Sequence, residues 1–386
     1  MPKIKVLRGN TSSLANYAGS AGEIALNYET GNIYFWTNTA NVFYTFAGVP
    51  AAPAGDSPFQ GSTSGYIIGG ASAYPLLSGS AQIQKFGFSS GSPASIIGGF
   101  PSGQWVAAGG ASSDTNGYVQ GGFRTNPYGN YNANIDKHVF ASDTDGTQVQ
   151  TLDPSPTMPS PTVNQQHMTG FQSLSTGYAY WGRGSGEIKM PFSSDTDAAT
   201  FTDEMARQYT PSPLQITSTM LSAGATSTQN RYKAGGYQPN TPFAGYFGIL
   251  RNPFSSDASI IVGGLTWPGY YASSVSGETA GYAVGGSPAY NNSASTPNPA
   301  LQEHDNIQKF LFASDTDATD VGQLAQTRQQ GTGFSSTTDG YVAGGVVRPA
   351  NTAKDEIYKF PFSSESTVSD QAEMVIARWS VTSTQV

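Results

Sequence analysis

Six cations occupy one recurring position of this chain: Lys85, Lys137, Lys189, Arg251, Lys309 and Lys359. Each lies in a short alternating stretch of the type Ile-x-Lys-Phe-x-Phe, followed by Ser-Ser or Ala-Ser. Paired carboxylates come next in three copies, as Asp143/Asp145, Asp195/Asp197 and Asp315/Asp317. A ring of cations would bind anions, and paired carboxylates would offer Ca²⁺ the oxygen ligands it prefers. Both patterns also have a structural reading. A lysine stem can pack across a sheet with its charge at the edge, and Asp and Ser stabilise turns by bonding their own backbone. The sixth copy carries Glu365 at the acid position and the first carries Gly91, so no uniform metal site is expected. His138, His167 and His304 fall in different copies without ligand spacing. No catalytic residue, metal or cofactor is expected from these residues.

The elements that must position them repeat as well. Gly-Tyr-x-x-Gly-Gly starts at Gly65, Gly117, Gly177, Gly281 and Gly340, with a degenerate copy over Arg231–Gly236. A strand-like repeat of roughly 50 to 60 residues predicts a propeller. In the sixth copy, strands are expected over Thr332–Ser336, Gly340–Gly345, Glu356–Phe362 and Ser369–Met374. The fold class is therefore all-β: a six-bladed kelch-like β-propeller preceded by a small β-rich module. Blade one begins at its second strand, and Ala377–Val386 resembles a first strand without its second, so the C-terminal strand is expected to close blade one and leave no open sheet edge. The paired glycines are expected to permit close packing near the central channel.

Only 11% of the 386 residues are charged, and the formal net charge is −8. An acidic chain is poorly suited to neutralising phosphates, so no nucleic-acid partner is expected. There are no cysteines, hence no disulfide framework and no thiolate metal site. No apolar run is long enough to cross a membrane, so a protein made in a cytoplasm and not inserted into a membrane is expected. Residues 1–48 read as a separate module, 49–64 as an Ala/Pro/Gly/Ser-rich linker, and 65–386 as the propeller. Within the module, Asn10 or Thr11 caps a short helix over Ser12–Tyr17, Gly22–Tyr28 and Ile33–Trp36 form a hairpin, and Val42–Phe46 adds a third strand.

The paired glycines and the repeat length resemble kelch-type propellers. The fuller wording, GYVAGG…IYKFPFSSES and NIQKFLFASDTDATDVGQL, resembles propeller repeats in virion structural proteins of tailed phages that infect marine bacteria and cyanobacteria. Leu7-Arg8-Gly9, Thr11, Leu14, Gly22-Glu23-Ile24-Ala25 and Glu29-Thr30-Gly31 followed by Ile33-Tyr34 resemble the N-terminal module of phage tail fibres. That resemblance implies attachment to other tail or baseplate proteins through residues 1–48, a homotrimer, and a place in the virion tail after assembly in the host cytoplasm. The pattern departs from the family after Tyr34, where Phe35–Asn41 replaces a Gly-Asp-Gly turn.

Function is expected where the copies differ. Loops between strands two and three, and between blades, vary in length and open on one face. They carry Tyr74, Tyr128, Tyr131, Tyr237, Trp267 and Tyr290, flat rings suited to stacking on sugars. Arg124, Arg183 and Arg348, with Arg207, Arg328 and Arg378, map near the same face and would form a guanidinium-rich surface for host polysaccharide or lipopolysaccharide. A non-enzymatic receptor-binding protein is the expectation. The alternative is a structural or decoration component whose propeller packs against other virion proteins. A glycan-cleaving propeller of the sialidase kind would need an arginine cluster, a tyrosine nucleophile and acidic partners, and no motif fixes that set.

Overall fold

Short alternating stretches bounded by glycine and serine favour strands over helices. Among the described residues, the computed structural model contains 27 strands and no helix. It describes residues 6–9, 24–27, 33–35, 60–72, 79–101, 103, 106–123, 133–151, 169–174, 176–183, 186–196, 198–202, 223–236, 247–255, 260–288, 303–348 and 350–386. The chain divides into two compact units, Met1–Ser57 and Pro58–Val386.

In the first unit, β1 (Val6–Gly9), β2 (Ile24–Asn27) and β3 (Ile33–Phe35) form one sheet. The expected hairpin is present, with Ile24 opposite Phe35. β1 adds to β2 in parallel, Val6 opposite Ile24, a pairing that the local pattern did not suggest. The expected helix over Ser12–Tyr17 and strand over Val42–Phe46 lie outside the described residues.

The second unit is a β-propeller. It begins with β4 (Ser64–Ala71), β5 (Gln82–Gly87) and β6 (Ser95–Gly99). Four separate antiparallel sheets of four strands follow. They are β7 (Val106–Ser112) to β10 (Thr147–Thr151) with β8 (Asn116–Phe123) and β9 (Asn134–Val139) between, and β11 (Thr169–Ser173), β12 (Tyr178–Arg183), β13 (Gly186–Pro191) and β14 (Ala199–Thr202). Next come β15 (Ala223–Thr226), β16 (Asn230–Ala234), β17 (Gly248–Pro253) and β18 (Ile260–Gly264), and then β19 (Ser273–Ser276), β20 (Ala280–Val284), β21 (Asn306–Leu311) and β22 (Thr319–Gln323). The last strands are β23 (Thr332–Ser335), β24 (Asp339–Ala343), β25 (Val346–Val347), β26 (Thr352–Pro361) and β27 (Ser369–Gln385).

β27 changes the expected count of separate sheets. Its first part pairs with β26, from Lys359 opposite Ser369 to Lys354 opposite Arg378. Its second part pairs with β4, from Trp379 opposite Ala71 to Gln385 opposite Gly65. The first and last copies are thereby joined in one eight-stranded sheet, beside four separate sheets, where six separate blades are expected from the repeats. The cause is local: no turn interrupts the chain between Arg378 and Trp379, so an outer strand runs straight on into an inner one. The closing strand itself comes from the end of the chain, as the resemblance of Ala377–Val386 to a first strand suggests.

The inner strands follow one another in a closed circuit, from β27 to β7, β11, β15, β19, β23 and back to β27. They line a polar cavity of about 150 Å³. At one level of that circuit stand Gly110, Gly170, Gly224 and Gly333, where a Cβ would fall about 2 Å from a neighbouring strand. At Gly170 it would lie 1.9 Å from the Gly110 carbonyl oxygen, and at Gly333 2.0 Å from that of Ser274. The glycines that allow close approach at the channel are thus those of the first strand. The paired glycines closing the second strand have another role: Gly69-Gly70, Gly121-Gly122, Gly235-Gly236, Gly285-Gly286 and Gly344-Gly345 all take positive φ, between 64° and 107°. A residue without a Cβ adopts that conformation readily, and it turns the chain out of the sheet.

Four non-glycine residues are also left-handed where inner strands begin or, in β27, where its inner part begins: Ala107, Tyr271, Gln330 and Ser380. Two of their amides link sheet to sheet, Gln330 N–H donating to the Tyr271 carbonyl at 3.0 Å and Ser380 N–H to that of Gln330 at 2.7 Å.

Candidate functional site

The tight-turn rim is built from three repeated contacts. In every sheet the strand-two tyrosine lies opposite the strand-three cation, as Tyr66–Lys85, Tyr118–Lys137, Tyr180–Lys189, Tyr232–Arg251, Tyr282–Lys309 and Tyr341–Lys359. Each of these tyrosine rings also meets a phenylalanine from the turn of the next sheet, which buries both edges of the seam. The pairs are Tyr66–Phe140, Tyr118–Phe192, Tyr180–Phe254, Tyr232–Phe312, Tyr282–Phe362 and Tyr341–Phe88, with centroids 4.8–5.5 Å apart.

The third contact explains the carboxylates. Lys85 binds Asp143 at 2.8 Å and Arg251 binds Asp315 at 2.7 Å, while Lys137 binds Asp195 and Lys309 binds Glu365. Each acid belongs to the turn of the following sheet. The second carboxylate of the motif caps a backbone N–H of the preceding sheet, Asp145 accepting from Gly99 and Asp317 from Gly264, both at 2.9 Å. Tyr118 and Tyr282 donate to Asp195 and Glu365 at 2.7 and 2.8 Å. Burial first, and then these carboxylates, push both phenols well above their usual range. At four seams the cation and the acid are therefore committed to one another. Among the described residues, no group of three or more His, Asp or Glu side chains is placed to hold a metal ion.

Register corrects one reading of the sequence. Tyr180, rather than Tyr178, occupies the seam position in the third copy, and Ala179 stands where other copies have glycine. The Gly177-Tyr178 match to the motif is two residues early because the preceding turn is longer. The exchange is tolerated because Met190 lies opposite Ala179 where Phe86, Phe310 and Phe360 lie opposite glycines. A Cβ on Gly65, Gly281 or Gly340 would fall 2.3–2.4 Å from a phenylalanine ring. Lys189 lies over both Tyr178 and Tyr180, 4.1 and 5.5 Å from their centroids.

The opposite rim carries the loops, where the sequence leads one to expect the binding residues. Tyr74, Arg124, Tyr128, Tyr131, Tyr237 and Tyr290 lie outside the described residues. Arg183 ends β12, and only its backbone is described. Trp267 lies in the connection from β18 to β19 and is 47% exposed. Its N–H donates to Gln308 Oε1 at 2.9 Å, and Gln308 Nε2 donates to its carbonyl at 3.1 Å. Thr266 Oγ1 donates to the same Oε1 at 2.8 Å. His304 lies beside the indole, with centroids 4.9 Å apart at 37°. Phe247, also exposed, ends the neighbouring loop, and its carbonyl accepts from Leu265 N–H at 2.6 Å.

The expected guanidinium surface does not form from the described arginines. Arg328 is 1% exposed, lies over the Tyr358 ring and pairs with Glu356 at 3.1 Å. Arg378 is 6% exposed and donates to Gln82 Oε1 at 2.8 Å, its pKa lowered by burial. Arg348 remains accessible, with its backbone N–H donating to Glu303 at 3.0 Å and its side chain 3.9 Å from that carboxylate. Glu356 with the Tyr358 ring, and the Gln82 amide, hold these two side chains inward, an outcome that a linear map of loop positions does not reveal. Gln308 and His304 were not singled out as binding residues. The one available signal was the shared Ile-Gln-Lys-Phe wording of two copies, since Gln84 likewise accepts from the backbone of Val375, at 2.8 Å.

His138, at the position of Phe86, Phe310 and Phe360, is buried among Tyr66, Phe100 and Phe140. Its Nε2 is 2.9 Å from Thr384 Oγ1 on the closing strand. Burial lowers its pKa to about 3, against a small opposing effect of Asp143.

Comparison with known protein families and with curated sequences gave no match. Among solved structures, one described as "Structure of YjhT" is similar, with a TM-score of 0.58 and 14% identity, over 81% of this chain and 97% of that one. At that identity the likeness bears on the fold alone: an all-β, propeller-like arrangement.

Proposed function

We propose that this chain is a non-enzymatic phage virion protein whose N-terminal unit attaches it to the tail and whose propeller contacts host surface glycan. The observation that carries the reading is the division of labour between the rims. The tight turns are occupied by seam contacts, while the loop rim varies from copy to copy and presents Trp267 on a braced support. Variable loops on a rigid scaffold are where recognition is placed. In this reading the two halves of the eight-stranded sheet count as separate blades, which makes six, and residues 1–48, 49–64 and 65–386 are attachment module, linker and propeller. The wording of residues 1–34 supports a trimeric attachment module among tail or baseplate proteins.

A second reading, a structural or decoration component, is favoured by exposed aliphatic side chains on outer strands: Ile96, Ile260, Ile261 and Val375. The test is to apply the purified, labelled chain to host cells and to their extracted surface polysaccharide, with immunogold labelling of intact virions alongside. Saturable binding to cells and label at fibre tips support attachment. Absence of binding with label spread over a shell would replace it by the second reading. Salt-sensitive loss of binding in the Arg124→Ala/Arg348→Ala double variant is expected for an anionic glycan.

A further inference from the structure

We infer that the outer strands β6 and β18 are the edges through which one copy of this chain meets another. The inference starts from a repeat longer than one sheet. Ala94-Ser95-Ile96-Ile97-Gly98-Gly99 returns as Ala258-Ser259-Ile260-Ile261-Val262-Gly263-Gly264, and Phe140-Ala141-Ser142-Asp143-Thr144-Asp145 returns unchanged over Phe312–Asp317. In the circuit of inner strands, β27 and β15 stand three steps apart in either direction. The sheets that end in β6 and β18 therefore lie on opposite sides of the propeller, and each of these strands is the end of its sheet.

Register allows the outer strands to be compared position by position. Opposite the residue that precedes each repeat cation stand Ile96 and Ile261, 43% and 50% exposed. The other copies place Gln148, Thr200, Asp320 and Asp370 there. Polar and charged groups keep an open edge from pairing, and β6 and β18 lack them at this position. The turn of the following sheet covers only their glycine ends, Gly146 N–H donating to the Gly99 carbonyl at 2.9 Å and Ala318 N–H to that of Gly264 at 2.8 Å. Beside Ile96 the apolar area is extended by Val375, 49% exposed, whose N–H donates to Gln84 Oε1 at 2.8 Å.

Charge favours a second copy as the occupant. The chain carries a formal net charge of −8, and the outer strands β22 and β27 bear Asp320, Asp370 and Glu373, which repel their like. β6 and β18 bear no charge. Because both share one wording, a strand that fits one fits the other, and each is itself such a strand. Aliphatic side chains on neighbouring strands pair favourably. Sites on opposite sides of one chain lead to rows of copies rather than closed pairs. Two strand halves make a small contact by the standard of stable interfaces, so it acts at high local concentration.

The chain has no cysteine, so an introduced thiol reports only its own neighbours. The experiment uses the full chain as two double variants, Ile96→Cys/Ile261→Cys and Gln148→Cys/Asp320→Cys. All four positions are exposed, so both variants should fold, with the melting temperature of the wild type when reduced. Each is oxidised at high protein concentration, and its rate of linking is normalised to its reaction with a small maleimide. The isoleucine-site variant should link several-fold faster and give a ladder of dimers, trimers and longer rows. Any association through residues 1–48 brings both pairs of thiols together alike and cannot produce that difference. Equal rates in the two variants would overturn the contact between copies and leave these edges to a different protein. Because the contact uses neither the loop rim nor the N-terminal unit, its failure leaves the attachment reading standing.

Discussion

Four seams of the propeller can be set against the one that closes it. Between β4–β6 and the β7–β10 sheet, the next seam on, and the two seams flanking the β19–β22 sheet, a cation reaches forward to an acid in the following turn. At the closing seam the acid position is Gly91. There Lys359 turns back to Asp339 of its own sheet at 3.3 Å, and the buried Tyr341 hydroxyl meets no acid from the next turn among the described residues. Burial and the nearby Asp339 push that phenol up to about 12. Only the aromatic stack, Tyr341 on Phe88, is kept there. What the closing seam has instead is covalent continuity: β27 passes through it and pairs on both sides. The ion pairs are therefore an accessory to seams that already hold by ring packing and by the chain itself.

The largest effect should come from removing Ser380–Val386. Five of the six partners of β4 on its inner edge would be lost, Trp379 alone being kept, and β4 would be left as an open edge. A sharp fall in melting temperature, larger than for any single substitution, is expected by calorimetry. An unchanged melting point would mean that the strand does not close the ring.

Next in size is acid stability through His138. Its folded pKa, about 3, lies below the unfolded value near 6.5, so the unfolded chain binds the proton more tightly between those values. Stability is complete above the unfolded pKa and declines as pH falls toward 3, by up to several kcal/mol. Replacing His138 by Phe, the residue at three equivalent positions, should flatten this limb in urea titrations at pH 4 and 7. If the slope persists, other groups control the acid transition.

At the channel, Gly170→Ala would place a Cβ against the Gly110 backbone, and about 3 kcal/mol of destabilisation is expected by denaturant unfolding. The smallest effects belong to the ion pairs. Lys85→Met should cost less than about 1 kcal/mol, because the Lys85–Asp143 pair is partly exposed. Gly91→Asp would install the missing acid at a left-handed position, φ +57°, of the kind that Asp143 and Asp195 already adopt. Its Cβ would meet only the end of the Gln371 side chain, so a change within about 1 kcal/mol is expected. A loss of several kcal/mol would show that the closing seam cannot accept the contact its counterparts use.

Much of this was legible because the seam residues are tied to strand register. The recurrence of Tyr, Lys and Phe located strands two and three of every copy, and the structural reading of the lysines follows from that recurrence. Two features escaped for physical reasons. The extra turn residues before Tyr178 shift the match to the motif without changing which tyrosine reaches the seam. The run from Met374 to Val381 has no glycine or proline to mark where one strand ends, and none ends there. On the loop rim, Trp267 could be chosen from its type and place, but its brace could not, since Gln308 is 41 positions away in sequence. The inward course of Arg328 and Arg378 likewise depends on neighbours that the linear order separates.

The point where the chain enters the propeller has a mechanical consequence. Gln60 and Gly61 donate to the Ser336 and Ser335 carbonyls at the end of β23, and β4 lies between β5 and β27 rather than at an edge. A pull exerted on the polypeptide ahead of Gln60 therefore reaches an interior strand gripped from both sides. Extraction requires two ladders to rupture together, so a tether joined at that point would transmit tension into the whole toroid before any single sheet peels away.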